Sequence, residues 1–187
     1  MSSKARFQVA FICTGNRFRS PLAAAVLADV AVDVAVHVVS AGVLELRGAE
    51  ALPEAVELGR RFGVDLSAHR AQAVTALELE PFDLVIGFER SHVHTAVVDA
   101  GARVEVTYTL PELVELLQAV PELAYSAHVV DQARARVAQA HAGRAPDFRT
   151  AGVPEIHDPL GRSSVEQRRI ANAIRDLTAR VADLLFR

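Results

Sequence analysis

Cys13-Thr14-Gly15-Asn16-Arg17-Phe18-Arg19-Ser20-Pro21 lies between the apolar run Phe7–Ile12 and the apolar segment Leu22–Val30, and reads as strand, loop and helix. Phe7, Val9, Ala10, Phe11 and Ile12 make the short, nearly continuous apolar run that a strand covered on both faces requires. Ser20 before Pro21 is a helix-start pair. Serine can accept a bond from an unpaired first-turn N–H, and proline at the first helical position has no N–H to satisfy.

A loop that closes on a helix N-terminus presents backbone N–H groups and the positive end of the helix dipole, which suits an anion. Gly15 and Asn16 are the residue types that most readily take left-handed backbone angles and turn successive N–H groups inward. Arg19 adds a planar fork matched to two phosphate oxygens. The residues from Thr14 through Gly15, Asn16, Arg17, Phe18 and Arg19 to Ser20 are therefore the expected phosphate-binding set. Cys13, at the base of this positive nest, is expected to have a stabilised thiolate, a nucleophile aimed at phosphorus.

Outward from the loop, strand and helix patterns alternate. Val34–Val39 is a β-branched run closed by Ser40-Ala41-Gly42, read as a strand and its exit turn. Leu52, Ala55, Val56, Gly59 and Phe62 fall at helical spacing with Gly63 as the stop. Asp83–Phe88 and Arg103–Tyr108 read as strands, separated by helical segments over Glu89–Ala100 and, further on, Glu112–Val120. This alternation predicts a parallel sheet with helices on both faces. Ser163 and Glu166 form a capping-box pattern ahead of the apolar stripe Ile170, Ile174, Leu177, Val181, Leu184 and Leu185, a long final helix. The stretch 121–151 fits less well. It holds a weakly amphipathic helix (Val130, Ala133, Val137, Ala140) with Arg134, Arg136 and Arg144 on other faces, read as a solvated helix padding the fold.

At 187 residues, 51% hydrophobic and 23% charged, the chain suits one folded domain over residues 1–187, not a disordered segment. A net charge of −3 gives no support to nucleic-acid binding. One cysteine excludes an intramolecular disulfide and suits a reducing, cytoplasmic setting. The apolar run after Lys4 and Arg6 is too short for a signal-peptide core or a membrane span, so no membrane partner is expected. His92 and His94 lie two apart on a helical segment, where side chains do not face one another, and no metal is expected.

The loop resembles that of the low-molecular-weight protein tyrosine phosphatases, which has the form Cys-x-Gly-Asn-x-x-Arg-Ser-Pro close to the N-terminus. The resemblance implies an α/β fold, a doubly wound four-stranded parallel sheet with helices on both faces and the phosphate loop after the first strand. It implies a cysteine-dependent phosphatase that hydrolyses phosphate monoesters through a phosphocysteine intermediate without a cofactor. Its lead substrate is protein phosphotyrosine. Phosphoarginine and small phosphate esters stay open, as does a phosphate-binding interaction module without turnover. Ester cleavage leaves an oxygen that needs a proton, and the family carries its general acid in an Asp-Pro pair just before the last helix. Asp158-Pro159 holds that place, and Pro159 restricts Asp158 to extended geometry, although Asp-Pro is also an ordinary turn pair. Ser20 matches the hydroxyl that bonds the thiolate, Ser40 another member of the loop's network, and His69 an imidazole that helps fix the loop asparagine. Read alone, Ser40 is equally a turn residue and His69 a surface histidine.

Four features depart from the family pattern. Compact members have less chain over 121–151, which the resemblance therefore makes a helical insertion. Phe18 stands where many members have a second cysteine, so an oxidised Cys13 has no disulfide partner in this chain. Leu160 stands where an aromatic residue usually follows Asp-Pro, which gives the substrate pocket apolar contact without stacking. Arg17, at the pocket wall, is suited to acidic groups flanking the phosphate.

Overall fold

The computed structural model describes residues 6–121, 128–145 and 152–187. Four parallel strands, β1 (Phe7–Cys13), β2 (Val36–Gly42), β3 (Leu84–Gly87) and β4 (Thr107–Thr109), form one sheet in the order β2-β1-β3-β4. The chain steps outward from β1 first to one side and then to the other, so the C-terminal end of β1 is the topological switch point where ligands of open α/β sheets bind. In register, Cys13 pairs with Gly42 of β2, and Ile12 with Gly87 of β3.

The strand period of two sorts β1 between two cores. Phe7, Val9, Phe11 and Cys13 face helices α1 (Arg19–Val30), α4 (Leu110–Ala119), α5 (Val129–Ala142) and α6 (Ser164–Phe186). Ala10 and Ile12 face Ala96 of α3 (Arg90–Val98), with Val74, Leu79 and Phe82. From Val9 to Cys13 both faces of β1 are buried, which accounts for its nearly continuous apolar run, interrupted at the partly buried Gln8. Helix α2 (Pro53–Arg61) ends at Gly63, whose φ of +85° makes it the stop that its position suggested. Helix α6 begins with the expected capping box, Glu166 N donating to the Ser163 hydroxyl, and buries Ile174, Val181 and Leu185.

Several boundaries differ from the sequence reading, each for a local reason. Strand β2 runs on through Ser40, Ala41 and Gly42, because that segment is paired to β1 where an exit turn would have left it free. Of the run 103–108 only Thr107 and Tyr108 enter a strand. Val104–Val106 is a turn of 3₁₀ helix, held by Val106 N donating to the Arg103 carbonyl. Helix α1 starts at Arg19 with Phe18 as its N-cap, and no side chain caps it. The Ser20 hydroxyl, expected as the cap, is drawn into the loop network described below.

Helix α5 is no solvated padding. Ala133, Val137 and Ala140 are buried in the main core, and Arg134 pairs with Asp83 at 3.0 Å beside the start of β3. Arg144, just past its end, is nearly buried. Its guanidinium lies 3.9 Å from the Tyr108 ring centroid and bonds Glu112 at 3.0 Å. The remaining parts of the proposed insertion, 122–127 and 146–151, lie outside the described residues.

Candidate active site

The loop between β1 and α1 is shaped by where its carbonyls go. Cys13 O accepts from Val43 N, Thr14 O from Leu44 N, Arg17 O from Leu52 N and Phe18 O from Leu22 N, all at 2.8–3.1 Å. The Asn16 carbonyl accepts from His69 Nε2 at 2.7 Å. With these carbonyls turned outward, the peptide planes direct the intervening N–H groups toward the loop centre, the arrangement of an anion nest.

Asn16 is the one non-glycine residue with positive φ (52°) among the described residues, and its side chain is used at both ends. Nδ2 donates to Ser20 Oγ at 2.9 Å and to Ser40 Oγ at 2.8 Å, and Oδ1 accepts from Gln72 N at 3.0 Å. Asparagine tolerates the left-handed region better than other side chains, and here its amide reaches three partners from it. Gly15, expected to share that conformation, does not. The glycine the loop depends on is Gly42. A Cβ there would lie 2.9 Å from Asn16 N, Gly15 C and Thr14 O, so the loop backbone rests directly on the end of β2.

Cys13 sits at the bottom of the loop, 2% exposed, with its Sγ 3.0 Å from Ser20 Oγ. Ser20 thereby joins the sulfur to Asn16 and Ser40. His69 closes the network from outside. Burial holds its imidazole below the ordinary histidine range, against the bond to the Asn16 carbonyl, which works in the other direction.

Arg19, the first residue of α1, is 1% exposed, and each of its two Nη nitrogens makes two bonds. Nη1 donates to Glu89 Oε1 at 2.6 Å and to the Ile156 carbonyl at 2.9 Å. Nη2 donates to Thr14 Oγ1 at 2.9 Å and to Asp158 Oδ2 at 2.5 Å. Glu89 fixes the guanidinium plane from behind, a role no sequence pattern announced. Asp158 is brought to the cleft because Ile156 is tied down twice, through its carbonyl to Arg19 and through its N–H to Phe88 O at 2.8 Å. Asp158 Oδ1 accepts from Leu160 N at 2.9 Å, the local turn that Asp-Pro favours.

Cys13, Thr14, Gly15, Arg17, Phe18, Arg19, Asp158 and Leu160 all line one cleft of about 110 Å³. Its outer wall is aliphatic, from Leu44, Leu46, Leu52 and Leu160, and Arg17 is tethered at the rim by Nε donating to Glu50 O at 2.7 Å. Ser40 and His69 stand behind the loop. Of the two histidines that lie two apart in the sequence, His92 is buried against Thr14 and His94 is exposed.

The sequence profile of the low molecular weight phosphotyrosine protein phosphatase family matches residues 8–118, more than half of the chain. The chain belongs to this family. Among relatives, the probable low molecular weight protein-tyrosine-phosphatase EpsP of Ralstonia solanacearum is 41% identical over 75 residues, 40% of this chain and 50% of that protein. The protein-arginine-phosphatase of Geobacillus stearothermophilus is 31% identical over 108 residues, 58% of this chain and 72% of that protein. The chain thus spans about half the length of the EpsP relatives it matches. A low molecular weight protein tyrosine phosphatase from T. tengcongensis has the same fold, with a TM-score of 0.69 over 95% of this chain and 98% of that one at 23% identity. Among the described residues, no helix is long and apolar enough to cross a membrane.

Proposed function

We propose that this chain is a cysteine-dependent phosphatase of phosphate monoesters. The observation that carries the reading is the convergence on one cleft of Cys13 Sγ, bonded to Ser20, the Arg19 fork and Asp158. Binding a phosphate needs neither a nucleophile nor an acid, so their joint presence favours turnover over an interaction module.

In the proposed reaction the Cys13 thiolate attacks phosphorus in line, while the loop amides and Arg19 hold the non-bridging oxygens. As those oxygens engage Arg19, Asp158 is released from Nη2, takes up a proton from solvent and passes it to the leaving oxygen. Water then cleaves the phosphocysteine, with Asp158 as base. A phosphorylated active-site serine in a cysteine-to-serine mutant of the arginine phosphatase YwlE, a protein of the same fold, supports a covalent intermediate at this position. Arg19 and Ser20 share their places in the loop with Thr14 to Phe18 as phosphate ligands, and Ser40 and His69 hold the loop from behind.

Protein phosphotyrosine is the lead substrate, in line with EpsP. Phosphoarginine is the second reading. It is favoured by the leucine wall, which offers no exposed ring for stacking, and by two protein-arginine-phosphatases that align over the longer stretch of 108 residues. The reading also takes residues 1–187 as one domain and the cytoplasm as its setting. Metal-free hydrolysis of p-nitrophenyl phosphate, abolished in Cys13→Ser, tests the activity. A phosphotyrosine peptide and a phosphoarginine peptide compared by kcat/KM then decide between substrates, and a wild-type chain inert on all three refutes the proposal.

A further inference from the structure

Residue His92 has no part in the chemistry above, yet it is 1% exposed and points into the site from α3. Its Nδ1 faces two backbone donors, Phe88 N at 3.3 Å and Glu89 N at 3.1 Å. A ring nitrogen receiving N–H groups carries no proton of its own, so the proton is on Nε2. Nε2 lies 3.0 Å from Thr14 Oγ1 and is therefore the donor in that bond. Gly87 makes this approach possible, since a Cβ there would lie 3.0 Å from the His92 Cβ.

Thr14 Oγ1 thus accepts twice, from His92 Nε2 and from Arg19 Nη2 at 2.9 Å. Both lone pairs of a hydroxyl oxygen are then taken, and its own proton can only be given away. Thr14 follows Cys13 directly and lines the same cleft. The sulfur already has a hydroxyl partner in Ser20. What remains in reach is whatever occupies the nest.

Resting on the phosphatase reading, we propose that the Thr14 hydroxyl donates a hydrogen bond to a phosphoryl oxygen under attack, and that His92 is the positioning residue that orients it. The histidine acts as a neutral donor. Burial, and next the charge of Arg19, push its pKa down to about 4, against the opposing charges of Asp158 and Glu155, so it keeps this form across the neutral range.

The test is kcat/KM on p-nitrophenyl phosphate, with urea midpoints to confirm folding. Thr14→Val removes the hydroxyl at constant shape and should lower kcat/KM by about tenfold to a hundredfold, less than or comparable to loss of an oxyanion-hole donor because the backbone amides remain. Thr14→Ser should restore most of the loss. His92→Asn keeps an acceptor for Phe88 N and Glu89 N but cannot reach Thr14, and should lose about tenfold. His92→Gln, whose amide N–H reaches further, should recover. The double variant Thr14→Val/His92→Asn should be no worse than Thr14→Val alone. Full activity of Thr14→Val, or losses that multiply in the double variant, would overturn the inference. Thr14→Val and Thr14→Ser decide the hydroxyl's part even if the histidine variants do not fold. A wild type without phosphatase activity would refute the underlying reading instead.

Discussion

Replacing Gly42 by alanine should damage the site without substituting any residue that meets substrate. The added Cβ would lie 2.9 Å from three backbone atoms of the loop, Asn16 N, Gly15 C and Thr14 O. That is about half an ångström short of ordinary van der Waals contact, and backbone cannot rotate away as a side chain would. Either the loop rises from β2 or the strand recedes, and the Cys13–Gly42 pairing resists the second. A misplacement of about 1 Å near a reacting centre costs roughly a hundredfold, so half of that predicts about tenfold in kcat/KM, with about 1–2 kcal/mol lost to overpacking. Gly15→Ala makes the control. Its Cβ would meet two side-chain atoms, Leu46 Cδ1 at 3.3 Å and Arg17 Cγ at 4.0 Å, and side chains can move. Measured side by side on p-nitrophenyl phosphate and in urea, Gly42→Ala should be the more damaged. A fully active Gly42→Ala, or a Gly15→Ala that is worse, would refute the claim that the loop takes its shape from contact with the end of β2.

Asn16→Ala removes bonds to Ser20, Ser40 and Gln72 and places alanine at a φ of 52°, which should cost about 3–5 kcal/mol in urea unfolding; a loss below about 1 kcal/mol would contradict the network. Asp158→Ala should lose about a hundredfold to ten-thousandfold with poor leaving groups and much less with p-nitrophenyl phosphate; equal losses would remove Asp158 from the acid role. The unfolded chain protonates His92 near pH 6.5 and the folded chain only near 4, so stability is complete above that window and falls as pH drops through it. The fall due to His92 is about 3 kcal/mol, and His92→Gln should remove it from a plot of stability against pH. An unchanged slope would show the imidazole to be accessible to protons in the folded chain.

Legibility in the sequence followed how local each constraint is. The strand β1, the loop and α6 were readable because a nearly continuous apolar run, a nine-residue motif and a capped apolar stripe each carry their meaning within one segment. Asp158, Ser40 and His69 were readable through the family resemblance, since no spacing links them to Cys13. The parts that Gly42, Glu89, His92 and Gln72 play at the loop have no signal in the sequence. Each acts across the sheet from a different connection, and a glycine ending a strand or a histidine opening a helix looks the same whether or not a loop rests on it. The place of Ser20 before Pro21 suits a helix cap, a local rule overridden by the buried sulfur, the partner that the family resemblance implies, and by the Asn16 amide. Arg134 and Arg144 depart from the sequence reading for the opposite reason. Mixed charge usually marks a solvated face, but their partners Asp83 and Glu112 are buried and come from distant segments.

The central claim is that Cys13 forms a bond to phosphorus. The most direct measurement is acid quenching of the wild-type chain during turnover of p-nitrophenyl phosphate, with mass analysis of the peptide that carries Cys13. The account predicts a phosphoryl group on Cys13, lost on longer incubation with water and absent from Cys13→Ala, which should also be inactive. Steady hydrolysis with the Cys13 peptide unmodified at every quench time, or a Cys13→Ala variant that still turns over, would contradict it.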